Sequence, residues 1–210
     1  MKNNANTKNM ALIGVLIAIE LILEYTPIGL IPVGALKLTT LHIPVIIAGV
    51  FLGYSGGAVL GVVFGLLSLI DNSFLKPGIT SFVFSPFITA PGFENGNWAS
   101  LIICFVPRIL IGVVSCAVFR GLKKMHLSRQ IGYAVAGLAG ALTNTLLVMG
   151  GIVMFFGERY AAAKNIPMSG LLAAIGAIIS VNGVAEAILA MVVVTAVCMA
   201  LDKVYKGKKA

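Results

Sequence analysis

The sequence predicts an all-α membrane protein, one integral domain over residues 1–210 with six transmembrane helices and both termini cytoplasmic. Three observations predict it. Of 210 residues, 59% are hydrophobic and 10% charged, and the mean hydropathy is +1.04. That is more apolar surface than a soluble core of this size can hide. The apolar residues run in long stretches punctuated by Gly, Pro and polar clusters. The lysines and arginines gather on alternate connections, as they do when short cytoplasmic loops hold them.

The amino end, Met1 to Asn9, is polar and carries Lys2 and Lys8 before an apolar stretch from Met10 to Leu23. Glu20 and Glu24 interrupt that stretch and no small-residue cleavage pattern follows. It therefore reads as a retained first helix and not as a signal peptide. Apolar length and punctuation place helices at 8–24, 41–54, 56–70, 99–121, 130–156 and 169–202. The second and third are short against the ~20 residues of a full span. The breaker cluster Gly53-Tyr54-Ser55-Gly56-Gly57 between them reads either as a tight hairpin or as a kink in one helix.

Charge decides between these. With six spans, cytoplasmic segments hold Lys2, Lys8, Arg120, Lys123, Lys124, Arg129, Lys203, Lys206, Lys208 and Lys209, while outer segments hold Lys37, Lys76, Arg159 and Lys164. Five spans would put one basic end outside, so the hairpin is favoured. The outer connections, 25–40 and 71–98, are long and rich in Pro, Gly, Ser, Thr and aromatics. Such asymmetry suits a substrate pocket that opens to the outer face.

Arg108 and Glu186 are the sharpest chemical signals, because ionisable groups inside spans are costly. Arg108 lies about half-way along its helix and follows Pro107, which removes a backbone donor. A buried guanidinium fits a carboxylate bidentately. It is read either as the counter-ion of an acidic substrate or as half of a structural pair with Glu186 or Glu20. Asn182 and Glu186 stand four apart on one helix face, with Ser180 near them. Thr143, Asn144 and Thr145 lie at a comparable depth on the preceding helix, and such groups either tie helices together or line a polar pocket. His42 opens the second helix beside Thr39, Thr40 and Pro44, which favours capping and interfacial packing. The stretch Ser81-Phe82-Val83-Phe84-Ser85-Pro86-Phe87 is read as a lid over a site or as an interfacial belt.

Other chemistries are set aside. Gly53-Tyr54-Ser55-Gly56-Gly57 matches G-x-S-x-G in letters, but no strand precedes it and no acid-base partner is close. No G-x-x-x-x-G-K-[ST] and no H-E-x-x-H occurs in the chain. Cys104, Cys116 and Cys198, widely spaced in apolar runs, suit neither a disulfide framework nor a zinc site. The net charge of +8 flanks apolar segments, which points to membrane orientation and not to nucleic acid. The chain reads as a non-enzyme without metal. Glycines at every fourth position from Gly49 to Gly65 favour close helix packing.

The order of these features resembles the S components of energy-coupling factor (ECF) transporters. The resemblance is carried by the basic amino tail and small-residue first helix, Leu41-His42-Ile43-Pro44-Val45-Ile46-Ile47-Ala48-Gly49 and the glycine-rich hairpin through Ser68. It continues through Ser81 to Phe87, Phe105-Val106-Pro107-Arg108-Ile109-Leu110 and Leu142-Thr143-Asn144-Thr145. Within the family the sequence is most similar to the pantothenate-type branch. The resemblance implies a multi-pass protein of the bacterial plasma membrane that captures a vitamin outside. It implies partnership with a transmembrane T component and two cytoplasmic ATPases, which hydrolyse the ATP, so that this chain needs no cofactor. Pantothenate carries a carboxylate, hydroxyls and an amide. Arg108 would take the carboxylate, with Asn144, Asn182 and Glu186 serving the other groups and Ser85, Thr143 and His42 lining the site. Ala11, Gly14 and Ala18 would form the docking face. The family's A-x-x-x-A pattern is replaced here by Ala11 with Val15 at i+4, and Gly14 with Ala18 supplies another register. Riboflavin, cobalamin or a similar vitamin remains an alternative cargo. A stand-alone proton-coupled secondary transporter, with Glu186 as its coupling group, is the alternative mechanism.

Overall fold

The computed structural model of the chain describes residues 2–33, 36–94 and 96–206. Lys208 and Lys209 of the basic carboxyl end lie outside these. Helix α1 (Lys2–Tyr25) leads into a small antiparallel pair, β1 (Leu30–Val33) and β2 (Leu36–Thr39), in which Leu30 faces Thr39 and Val33 faces Leu36. Helices α2 (His42–Ile70), α3 (Ala99–Lys124), α4 (Arg129–Ala163), α5 (Leu171–Ile178) and α6 (Val184–Lys206) follow. Among the described residues, four helical stretches are long and apolar enough to cross a membrane: His42–Leu75, Ala99–Lys124, Arg129–Ala163 and Met168–Val204.

The first of these turns back on itself. Gly53 has φ 83° and ψ −166°, a backbone that L side chains rarely adopt. A Cβ added at Gly57 would lie 2.9 Å from the Cα of Gly49. In an unbroken helix, residues eight apart are separated by ~12 Å. The chain therefore folds back at Gly53, giving two arms, 42–52 and 54–70. The same added Cβ would lie 2.8 Å from the Cα of Gly112, so α3 packs backbone to backbone against both arms. Only small residues permit that approach.

Helix ends depart from the expected bounds for local reasons. Helix α4 continues to Ala163, seven residues past the expected 156, because Asn165 closes it in the left-handed conformation at φ 53°. The Ile166 amide donates to the Ala161 carbonyl at 2.9 Å and the Asn165 amide to Ala162 at 3.1 Å, the paired bonds of a Schellman cap. His126 ends α3 likewise, with φ 59°. The expected sixth helix, 169–202, is interrupted by a π turn at Ile179–Gly183, and a second π turn, Asp71–Leu75, extends α2. The connection expected as loop at 25–40 contains the β-pair instead.

Two buried apolar clusters divide the interior. One joins Leu12 and Leu16 of α1 to Ile43, Ile46 and Ile47 of α2, Tyr133 of α4 and Ala190 and Val194 of α6. The other gathers Phe82 and Val83 of the long 71–98 connection with Ile103, Val148, Ile152, Phe156 and Leu171. The long connections meet at one end of the bundle: Thr39 bonds to Glu186 and the Lys76 ammonium reaches the Glu24 carbonyl. The opposite end is basic, with Arg120, Lys123, Lys124, Arg129 and Lys203 around the Gly53 turn and the α3–α4 connection.

Candidate substrate-binding site

Arg108 lies nine residues into α3 and is 6% exposed. Its setting follows from Pro107. A proline at 107 leaves the carbonyl of Ile103, four residues earlier, without its helical donor. The Arg108 Nη1 donates to that carbonyl at 3.0 Å. The guanidinium then lies between two rings, 5.2 Å from the centroid of Phe64 and 4.9 Å from that of Phe84. Phe64 comes from the second arm of α2 and Phe84 from the 71–98 connection, so three elements fix one side chain. Its Nε is buried without a partner. No carboxylate of the described residues lies within 4.0 Å of it.

The structural pair of Arg108 with Glu186 or Glu20 is therefore not formed. Glu186 is 8% exposed, and its Oε1 accepts from the Thr39 amide at 2.8 Å, which clamps β2 onto α6. Both Oε atoms of Glu20 are buried without a partner. Glu24 follows Glu20 by one turn of α1, one of its carboxyl oxygens is buried without a partner, and its backbone carbonyl accepts from Lys76. Lys76 pairs with Asp71 at 3.5 Å and sits over the ring of Tyr25.

His42 is 1% exposed and neither ring nitrogen has a partner. A Cβ added at Gly140 of α4 would lie 2.6 Å from Ile46 Cγ1. One turn from that contact toward the connections, α2 carries His42 and the antiparallel α4 carries Asn144. The two polar groups thus share a height in the bundle. Asn144 is 9% exposed with Oδ1 unpartnered. Gly183 packs on Thr145, which brings the π turn holding Asn182, itself half-buried, to the same level. Thr143 turns inward on its own helix instead, its Oγ1 donating to the Ala139 carbonyl at 2.7 Å. Ser180 likewise bonds back to Gly176 and is exposed.

The segment from Ser81 to Phe87 is packed as a cover. Ser85 is fully buried, with Oγ accepting from Ser73 Oγ at 2.7 Å and from the Phe87 amide at 3.2 Å. Ser81 Oγ donates to Asn72 Oδ1 at 2.9 Å, while Asn72 Nδ2 donates to the Ser68 carbonyl. These bonds tie the segment to the end of α2, so that Phe84 reaches Arg108. Ser85 thereby acts on the guanidinium through the segment it anchors.

The interior toward the connections thus holds an unusual number of unmet polar atoms. They belong to Glu20, Glu24, Thr26, His42, Ser100, Arg108 and Asn144. Each unpartnered buried group costs about 1–3 kcal/mol, a sum that only a ligand or water meeting several of them would offset. Sequence reasoning named Glu24 only as an interruption of the apolar stretch and Glu20 as that and as a pairing partner for Arg108, and it missed Thr26. The signal was there: Leu12, Leu16 and Glu20 repeat at four-residue spacing on the buried face of α1, and the carboxyl breaks an apolar stripe. Ala11, Gly14 and Ala18 lie on the exposed side of α1, and a Cβ added at Gly14 would meet nothing within 4 Å.

An apolar helical bundle that encloses unmet polar groups beneath a pinned segment has the make-up of a membrane protein that can hold a polar solute. Comparison with known families makes this specific. Residues 8–198 match the family model for the ECF transporter substrate-specific component, and the chain belongs to that family. It is similar to the pantothenic acid transporter PanT of Lactococcus lactis subsp. cremoris, 35% identical over 95% of this chain and 96% of the relative. It is also similar to the pantothenate transporter PanT of Leuconostoc mesenteroides subsp. mesenteroides, 30% identical over 94% of this chain and 93% of that protein. The family is one of transporter components, not of enzymes.

Proposed function

We propose that this chain is the substrate-capturing subunit of a pantothenate importer. It crosses the bacterial plasma membrane six times, through α1, the two arms of α2, α3, α4 and the α5–α6 stretch, with both termini cytoplasmic. The basic end then faces the cytoplasm and the long connections face outward, in keeping with the positive-inside rule. The first arm of α2, 42–52, is only about 17 Å long. The β-pair above it must then descend toward the middle of the ~30 Å core, where non-helical backbone is tolerated only against protein or a cavity. His42, Thr39 and Glu186 would lie at that depth.

The observation that carries this reading is Arg108, buried and held at one nitrogen by the carbonyl that Pro107 frees, with its Nε unpartnered. That free edge suits the carboxylate of pantothenate bidentately. His42, Asn144 and Asn182 offer donors and acceptors for the amide and hydroxyls. Ala11, Gly14 and Ala18 present a small-residue face to a transmembrane T component, whose two ATPases supply the energy. Equilibrium binding of pantothenate, riboflavin, biotin, folate and cobalamin to the purified, detergent-solubilised chain, without ATP or partners, tests the proposal. Tight binding of pantothenate alone is expected. Selective binding of another member, or of none in folded protein, would overturn it.

A further inference from the structure

Glu20 is fully buried and both its carboxyl oxygens lack a partner among the described residues. It follows Leu12 and Leu16 on the inward stripe of α1, so no helix geometry compels a carboxyl there, and an apolar residue would complete the stripe. A carboxyl removed from water and left unmet costs more than the hydrophobic side chain of the same volume that could replace it. Glu24, one turn on, has one oxygen in the same condition. Arg108 Nε and both His42 nitrogens, on two other helices, are unmet as well. The interior therefore has an electropositive pole at Arg108 and an acceptor pole on α1.

Resting on the pantothenate reading above, we propose that Glu20, assisted by Glu24, recognises the hydroxyl groups of the bound ligand, at the end opposite the carboxylate held by Arg108. A carboxyl accepts a hydrogen bond from a hydroxyl in either protonation state. The two poles fix the ligand's direction: its carboxylate is drawn to the guanidinium, and its hydroxyls find in Glu20 a carboxyl with both oxygens unmet. Specificity for a hydroxylated acid over a plain one then resides in Glu20. A site built to bond a hydroxyl discriminates strongly against an analogue that lacks it, because its own polar group is left unpaired.

Calorimetric titration of wild type and Glu20→Met, each with pantothenate and with 3,3-dimethylbutanoyl-β-alanine, tests this. The analogue keeps the carboxylate and amide and lacks both hydroxyls. Glu20→Met should melt at or above the wild-type temperature in detergent, lose about 10- to 100-fold in affinity for pantothenate, and bind the analogue as wild type does. Should the methionine variant not fold, Glu20→Leu, which likewise removes the acceptor and continues the Leu12 and Leu16 stripe, is read in the same four titrations, with the same selective loss expected. Equal affinity of variant and wild type for pantothenate would overturn the proposal, as would equal loss for both ligands. A wild-type protein that does not bind pantothenate would instead strike the reading on which the proposal rests.

Discussion

The two ends of this bundle treat buried polarity in opposite ways. At the basic end, Arg129 meets both oxygens of Asp202 at 2.9 Å, and the Tyr133 hydroxyl donates to the same carboxylate at 2.8 Å. The Tyr133 ring stacks between Phe119, at 5.1 Å, and Phe51, at 6.2 Å. That cluster ties α2, α3, α4 and α6 together and leaves no buried polar atom of its own unmet among the described residues. Toward the long connections, Glu20, His42, Arg108 and Asn144 are more deeply buried than Arg129 and Asp202, and each keeps at least one polar atom unmet. A network that closes on itself serves the fold; one that stays open awaits a ligand. The comparison separates structural from functional polarity without reference to residue type, since both ends use an arginine and a carboxylate.

The largest effect expected from this contrast is at Arg108. Arg108→Ala should reduce pantothenate affinity about 30- to 1000-fold, the loss for one partner of a buried charge pair, while the purified protein stays folded because the arginine closes no network. Titration with ligand and a thermal melt read the two quantities; wild-type affinity would remove Arg108 from the site. Next is Asp202→Ala, which leaves the buried Tyr133 hydroxyl without its acceptor and Arg129 without its partner. Arg129 is nearly half exposed, so the ion pair contributes little, and the tyrosine dominates. Stability should fall by about 1–2 kcal/mol, with ligand affinity unchanged within about twofold. A binding defect matching that of Arg108→Ala would break the distinction between the two ends.

Much of this was legible in the sequence, and the reasons differ by residue. Arg108, Glu186 and Asn144 stand out because a polar residue in an apolar run has few explanations. The hairpin followed from counting basic residues. The β-pair was not read, since its alternation Leu36-Lys37-Leu38-Thr39 is brief and sits among Pro and Gly that signal loop. The π turns were invisible because one inserted residue shifts helical phase without changing composition. Thr143 was read as pocket-lining, yet its hydroxyl bonds to its own helix, a choice that side-chain rotation makes and sequence does not reveal. Glu20 was read as an interruption of an apolar stretch and as a pairing partner for Arg108. Its importance rests on having no partner, which only the packed structure can show.

A third effect sharpens the comparison most, because it has opposite signs in stability and in binding. Pro107 costs α3 a backbone hydrogen bond, and Arg108 Nη1 occupies the Ile103 carbonyl left free. Pro107→Ala restores an amide that competes for this carbonyl. The helix should become more stable, by up to ~3 kcal/mol where neighbours do not already compensate for the proline. The guanidinium, deprived of its anchor, would then spend part of its time away from the ligand's carboxylate, at roughly 1 kcal/mol or about fivefold in affinity. A melt and a titration on the same preparation decide. If stability rises and affinity does not fall, the proline is a packing feature and the guanidinium is held by Phe64 and Phe84 alone. If the two move in opposite directions, a backbone defect is retained in α3 because it aims the arginine, and the open end of the bundle is kept open at a cost in stability that the closed end does not bear.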